Sequence, residues 1–311
     1  MGRLKRELFF KEDGTFKIIQ FTDIHFSEDN ELDHRSTNLM SQIILDEKPD
    51  FIITTGDTVY GPYNLQHIEK ALRPITQSGV PWSYTFGNHD TEEGVDYTSL
   101  FQVITSLPNC VAYNADASIS GMGNHYVEVK NQRGETKWVL FGIDTGAYNR
   151  IPSIGGYDYI KEDQIQWFKK VIGDFDLELN SFSSLVFMHI ALPEYQEVWD
   201  METCYGEKRE GICCPHINSG FFTAMQEAGH TKGVFVGHDH INDFMGTLYG
   251  IMLAYGRATG YNTYGQEDYQ RGARIIELDV NNTESFQTYI RLEDKTVIKK
   301  QVEHKPERKR E

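Results

Sequence analysis

Apolar residues recur in two rhythms along this chain, and the alternation between them sketches a fold. Phe16-Lys17-Ile18-Ile19-Gln20-Phe21 is rich in β-branched and aromatic side chains and reads as a strand. Leu39, Ile43 and Ile44 then repeat at helical spacing within 32–45, with Asp33 or Ser36 as candidate caps and Pro49-Asp50 as the stop. Phe51-Ile52-Ile53-Thr54-Thr55 is a second buried strand, 64–76 is helical again, and Pro81 opens a third strand over 82–86. Strand, helix, strand, helix, strand is the order of parallel β-α-β units, so the chain is of the α/β class.

The pattern changes after a helix over 97–106. Residues 126–129 and 138–143 flank Asn131-Gln132-Arg133-Gly134, the signature of a hairpin. An amphipathic helix over 161–174, a strand over 184–188, a helix over 219–228 and a strand over 233–236 follow. Short strand-like runs with Gly turns fill 244–278. Residues 190–217 show no clear periodicity, which marks a long functional loop. With neither repeat nor linker, the pattern predicts one domain over 1–295 and a charged tail over 296–311, frayed from Lys299 onward.

Five short polar clusters interrupt this order, each directly after an apolar run. They are Asp23-Ile24-His25, Gly56-Asp57, Gly87-Asn88-His89-Asp90, His189 after Ser184-Leu185-Val186-Phe187-Met188, and Gly237-His238-Asp239-His240. In parallel sheets ligands gather beyond the carboxyl ends of strands, so five loops are expected to point at one spot. Carboxylates, one amide and imidazoles together suit a pair of Zn, Fe or Mn ions. A carboxylate shared between two such ions holds them about 3.5–4 Å apart, and Asp57 is the natural bridge. Gly56 allows a sharp turn before it, and Asn88 offers a neutral oxygen. His238 and His240, two apart, are expected on one side of an extended segment. A single Gly-Asp or a lone histidine carries no such meaning; the ordered set does.

Bulk properties narrow the partners. The chain has 311 residues and a formal net charge of −16, an unfavourable balance for binding nucleic-acid backbones. A small phosphate remains compatible, because cations inside a cleft dominate the local field. The start of the chain lacks the apolar core of a secretory signal, and no apolar run is long enough to span a membrane. Cys110, Cys204, Cys213 and Cys214 lack Cys-x-x-Cys spacing and read as free thiols of a cytoplasmic protein.

The ordered clusters resemble those of the calcineurin-like metallophosphoesterases over residues 16–278. Glu210-Gly211-Ile212, Asn218-Ser219-Gly220-Phe221-Phe222, the run from Gly237 to Phe244 and Tyr255-Gly256-Arg257 resemble the single-domain purple acid phosphatase-like branch. The fold implied is a four-layer α/β/β/α sandwich of two mixed sheets. The resemblance implies one metal on Asp23, His25, Asp57 and His240, and a second on Asp57, Asn88, His189 and His238. His89 is implied as the catalytic contact to the phosphoryl group, oriented by Asp90. Purple acid phosphatases proper carry a tyrosine ligand three residues after the bridging aspartate and lack the first-motif histidine. This chain has both Tyr60 and His25; His25 is the expected ligand and Tyr60 a cleft residue.

The activity implied is hydrolysis of a small or protein-borne phosphate ester by in-line attack of a metal-activated hydroxide. Monoesters are favoured, with nucleotide or other small diesters as the alternative and a non-catalytic scaffold as the competing class. Tyr60, Arg257 and His216 are the substrate-contact candidates, with His34, Arg35, Tyr205 and Asn218 behind them. Oligomeric state leaves no mark in the sequence.

Overall fold

The computed structural model describes residues 7–179 and 181–306. Residues 1–6, part of the start read for a secretory signal, and 307–311, the end of the expected tail, lie outside the described residues. The path begins β1 (Glu7–Phe9), β2 (Thr15–Phe21), α1 (Glu31–Glu47), β3 (Phe51–Thr55), α2 (Asn64–Ala71), α3 (Arg73–Ser78), β4 (Trp82–Thr85) and α4 (Tyr97–Ser106). It continues β5 (His125–Lys130), β6 (Thr136–Gly142), α5 (Glu162–Glu178), β7 (Ser183–Phe187), α6 (Glu194–Met201), β8 (Cys204–Tyr205), α7 (Phe221–Ala228) and β9 (Thr231–Val236). It closes with β10 (Met245–Leu248), β11 (Ile251–Tyr255), β12 (Gly272–Asp279), β13 (Asn282–Leu292), β14 (Val297–Ile298) and β15 (Glu303–His304).

Two mixed sheets result. One has the order β14-β13-β12-β2-β3-β4, the other β1-β5-β6-β7-β9-β11-β10-β8-β15. Period-two alternation decides how they pack. Phe16 and Ile18 of β2 join Phe51 and Ile53 of β3 in a core shared with Trp138, Leu140, Leu185, Phe187 and Phe235 of the facing sheet. The alternate residues Ile19, Phe21 and Ile52 instead meet Leu39, Ile43, Ile68 and Ile75 of the first helical layer. On the far side Phe141, Val186 and Val234 meet Phe168, Ile172, Phe221 and Met225. Helices therefore cover both outer faces, giving the four-layer α/β/β/α sandwich. β2, β3 and β4 run parallel, as do β6, β7, β9 and β11.

Several local expectations are corrected. Neither Asp33 nor Ser36 caps α1; Asn30 does, accepting from Leu32 N at 2.9 Å and Asp33 N at 3.1 Å. Asp33 completes the reciprocal pair by accepting from Asn30 N at 3.0 Å. The expected helix over 64–76 is two, because Pro74 lacks an N–H and its ring would strike the carbonyl four residues back. The segment 190–217 contains α6 and β8 rather than loop alone. The charged tail from 296 carries paired strands, so the stretch expected to fray from Lys299 is held over its described part. β14 pairs with β13, β15 pairs with β8, and the His304 ring stacks on Trp199 at 3.7 Å. No disulfide joins the four cysteines, and no described helix is long and apolar enough to cross a membrane.

The layer between the sheets is apolar and closely filled, so truncating it leaves a void. Leu140→Ala is expected to cost about 2–5 kcal/mol. Urea unfolding should show this as a lower midpoint at unchanged slope; an unchanged midpoint would contradict the packing described.

Candidate metal centre

All five polar clusters fall just past the carboxyl ends of β2, β3, β4, β7 and β9. The first three belong to one sheet and the last two to the other, so the centre straddles the top of the inter-sheet seam. The backbone there is unusual. Asp23, His25, Asp57 and His238 all hold positive φ, between 49° and 75°, a conformation that costs a non-glycine residue about 1–2 kcal/mol. Such outliers gather where surrounding contacts force them. At Gly56, φ +83°, a Cβ would lie 2.5 Å from the His189 ring, and at Gly87 it would overlap the Asp57 carboxylate. Close approach, as well as turning, demands glycine here.

Asp90 fastens these loops. Its buried carboxylate accepts N–H groups from Asp57 at 3.0 Å, Thr58 at 2.8 Å, Val59 at 3.1 Å and Gly87 at 2.8 Å. Burial, together with the nearby charge of Asp57, raises Asp90 to about 7 against the pull of those N–H groups.

The expected residues form two groups that share one carboxylate. Asp23, His25, Asp57 and His240 make one set, and Asp57, His189 and His238 the other, all buried. His189 Nε2 lies 3.1 Å from Asp57 Oδ2, 3.2 Å from Asn88 Oδ1 and 3.2 Å from His238 Nδ1. In the first group His25 Nε2 is 3.6 Å from Asp57 Oδ2, and His240 Nε2 is 3.4 Å from Asp23 Oδ1. Ligands about 2.0–2.1 Å from a tetrahedral metal stand about 3.3 Å from one another, so these spacings match the edges of a coordination shell. His25 Nε2 and Asp57 Oδ2 are also buried without a hydrogen-bond partner among the described residues. Orphaned polar atoms of this kind need an explanation, and a cation supplies one. The residues fit a metal pair.

Electrostatics agree. Burial opposes ionisation of Asp57, yet His189 and His25 hold its carboxyl well below the ordinary range. Burial likewise opposes a charge on His189, but Asp57 overrides it and raises the imidazole to about 10. Burial and the neighbouring His189 depress His238 to about 3. The shared carboxylate thus draws positive charge to Oδ2, whether as a proton or as a cation.

A second ring of contacts orients the first. His189 Nδ1 bonds the Thr55 carbonyl at 2.7 Å, His240 Nδ1 pairs with Thr263 Oγ1 at 2.6 Å, and Thr22 Oγ1 donates to Asp23 Oδ2 at 2.8 Å. Partners of this type fix tautomer and ring direction. His238 and His240 do not share a side of an extended strand: His238 is left-handed, the chain turns, and each joins a different group.

Asp90 is not the partner of His89, because its oxygens are taken by backbone. The His89 Nδ1 partner is Glu92, 2.6 Å away and three residues on, a spacing legible in the sequence but overlooked. Glu92 in turn accepts from Tyr148 at 2.6 Å. Tyr148 and Tyr157, whose ring lies 4.3 Å edge-on from His238, left no sequence signal. Tyr60 is half exposed, its ring 5.0 Å from His89 and 5.8 Å from His25, so it lies beside the centre.

The remaining substrate candidates have other contacts. Arg257 is 3 % exposed, paired with Asp243 at 2.6 Å and stacked on Tyr269, so it supports the fold. His216 packs over Gly156, beside Tyr157. His34 pairs with Asp29, Arg35 with Glu293, and Asn218 with Glu194, while Tyr205 lies in β8.

Asp90→Ala would orphan four N–H groups and is expected to cost at least about 3 kcal/mol. Metal retained after dialysis should fall with the unfolding midpoint. Full retention would refute the fastening role.

A family model described as calcineurin-like phosphoesterase matches residues 16–242. The chain is 33% identical to the "Probable inactive purple acid phosphatase 14" of Arabidopsis thaliana, across 94% of this chain and 84% of the relative. It is 29% identical to "Phosphatase DCR2" of Saccharomyces cerevisiae, across 90% of this chain and 54% of that one. Among solved structures, a dimetal phosphatase from Danio rerio superimposes with TM-score 0.59 at 13% identity, covering 88% of this chain and 98% of that one, a likeness of fold. Sequence and architecture together assign the chain to the calcineurin-like phosphoesterases, in the branch whose relatives are named purple acid phosphatases.

Proposed function

We propose that this protein is a dinuclear metal-dependent phosphomonoesterase. One observation carries the reading: Asp57 Oδ2 faces both donor groups, with His25 Nε2 at 3.6 Å and His189 Nε2 at 3.1 Å, beside an imidazole that belongs to neither. Asp23, His25, Asp57 and His240 would hold one cation, and Asp57, Asn88, His189 and His238 the other. Bound there, Zn, Fe or Mn supplies Lewis acidity, lowering the pKa of water and neutralising phosphoryl charge.

The chain's own residues do the rest. Glu92 occupies His89 Nδ1 and leaves Nε2 to carry a proton toward the ester oxygen as it departs. The Asp57 carboxylate fixes His89 from behind, accepting its backbone N–H at Oδ1 over 2.8 Å. Monoesters are preferred because the yeast relative is named a phosphatase; a small diester is the alternative.

The "probable inactive" name of the Arabidopsis relative favours a second reading, a metal-binding protein without turnover. Metal analysis followed by assays of a chromogenic monoester and diester with Mn, Zn or Fe separates the two. His89→Ala is expected to lower kcat about 10²–10⁴-fold with metal content intact, whereas Asp57→Asn should lose metal and activity together. Loss of metal from His89→Ala would overturn its role. A metal-saturated protein that hydrolyses no ester would leave the non-catalytic reading.

A further inference from the structure

A cavity of about 820 Å³ adjoins the metal centre, walled by residues 144–151, by 120–122 and by Thr91, Tyr97 and the start of α5. Tyr148 belongs both to this wall and to the centre. Its hydroxyl donates to Glu92 at 2.6 Å and accepts from Asn88 Nδ2 at 3.3 Å. Thr91, also in the wall, stands two residues after His89. His89 protonates the departing oxygen in the reading above, so the alcohol half of the ester leaves on the side where this cavity lies.

The wall's chemistry limits what fits. Most of its polar groups are committed internally. Asp144 accepts from Met122 N and Gly146 N. Gln164 bonds Lys161 N, Asn124 and the Asp144 carbonyl, and Lys161 is paired with Asp158 at 2.5 Å. Asn149 Nδ2, by contrast, is buried with no hydrogen-bond partner among the described residues. Arg150 is exposed and makes no ion pair among them. Both are donors. The remaining surface is apolar or aromatic, from Tyr97, Met122, Tyr148, Ile151 and Tyr159. A nucleobase, read through donors and acceptors alike, would find the wall's carboxylate and amide oxygens already engaged. A planar ring bearing an anion matches what is left.

We propose that this cavity binds the alcohol half of the substrate, and that the preferred esters are aryl phosphates carrying a carboxylate on the ring. The proposal rests on the phosphoesterase reading. The reaction is hydrolysis: the bond from phosphorus to the aryl oxygen breaks, water supplies the new oxygen on phosphorus, and His89 delivers a proton to the leaving aryl oxygen.

The test compares para-carboxyphenyl phosphate, phenyl phosphate and glycerol phosphate on Mn-loaded wild type, Arg150→Ala and Met122→Trp. Calorimetric titration of para-hydroxybenzoate accompanies it. Arg150→Ala should raise KM for the carboxylated ester about tenfold and leave phenyl phosphate unchanged. Met122→Trp, which fills the cavity, should raise KM for both aryl esters and spare glycerol phosphate. Para-hydroxybenzoate should bind wild type and bind both variants more weakly. The proposal falls if both variants treat the three esters alike, or if para-hydroxybenzoate does not bind or binds all three proteins equally. If no ester turns over while para-hydroxybenzoate binding still depends on Arg150, the phosphoesterase reading fails and the aryl carboxylate site stands.

Discussion

The buried carboxylate of Asp57 is the constraint around which both halves of the molecule are arranged. It is 1 % exposed, and removing a carboxylate from water costs several kcal/mol unless partners surround it. Those partners come from both sheets: His25 from the loop after β2, the His89 N–H from the loop after β4, and His189 from the loop after β7. His25 and His89 share a sheet with Asp57, whereas His189 reaches it from the facing sheet, so this one contact ties the two sheets together at the seam. The requirement extends downward. Gln20 of β2 donates to the Val236 carbonyl of β9 at 3.0 Å, and Arg274 of β12 reaches the carbonyls of Tyr255 and Asp243.

The same demand accounts for the backbone strain. Left-handed conformations at Asp23, His25, Asp57 and His238 aim side chains inward within a residue or two of a strand end. A regular extended strand would alternate them between faces. Asp90 makes this tenable by collecting N–H groups from two loops. Its contacts converge on the backbone that carries Asp57.

A chain of short contacts runs outward from that core. His89 is held by Glu92, Glu92 by Tyr148, and Tyr148 forms one wall of the large cavity. The support of His89 and the cavity wall are therefore mechanically adjacent: whatever moves Tyr148 alters the support of His89.

How far the sequence carried can be judged residue by residue. Strands such as Phe51–Thr55 and the donor clusters were legible because both are local: a β-rich run announces a buried strand, and polar residues directly after it have no packing role. Asn30 as cap and the break at Pro74 were also written locally and were passed over. Arg257 misled because a strand-end position says nothing about whether a guanidinium meets substrate or, as here, a buried Asp243. The pairing of Glu303–His304 with Cys204–Tyr205 joins residues a hundred positions apart, and no local pattern encodes it. The succession of the strands that precede the polar clusters, the candidate donors they present and the need for glycine before Asp57 were thus determined by sequence alone, since each follows from side-chain chemistry and spacing along the chain. Which donor atoms meet, which carboxylate braces His89 and what walls the cavity were decided only by tertiary structure, because those contacts depend on distances between loops that the chain brings together from opposite sheets.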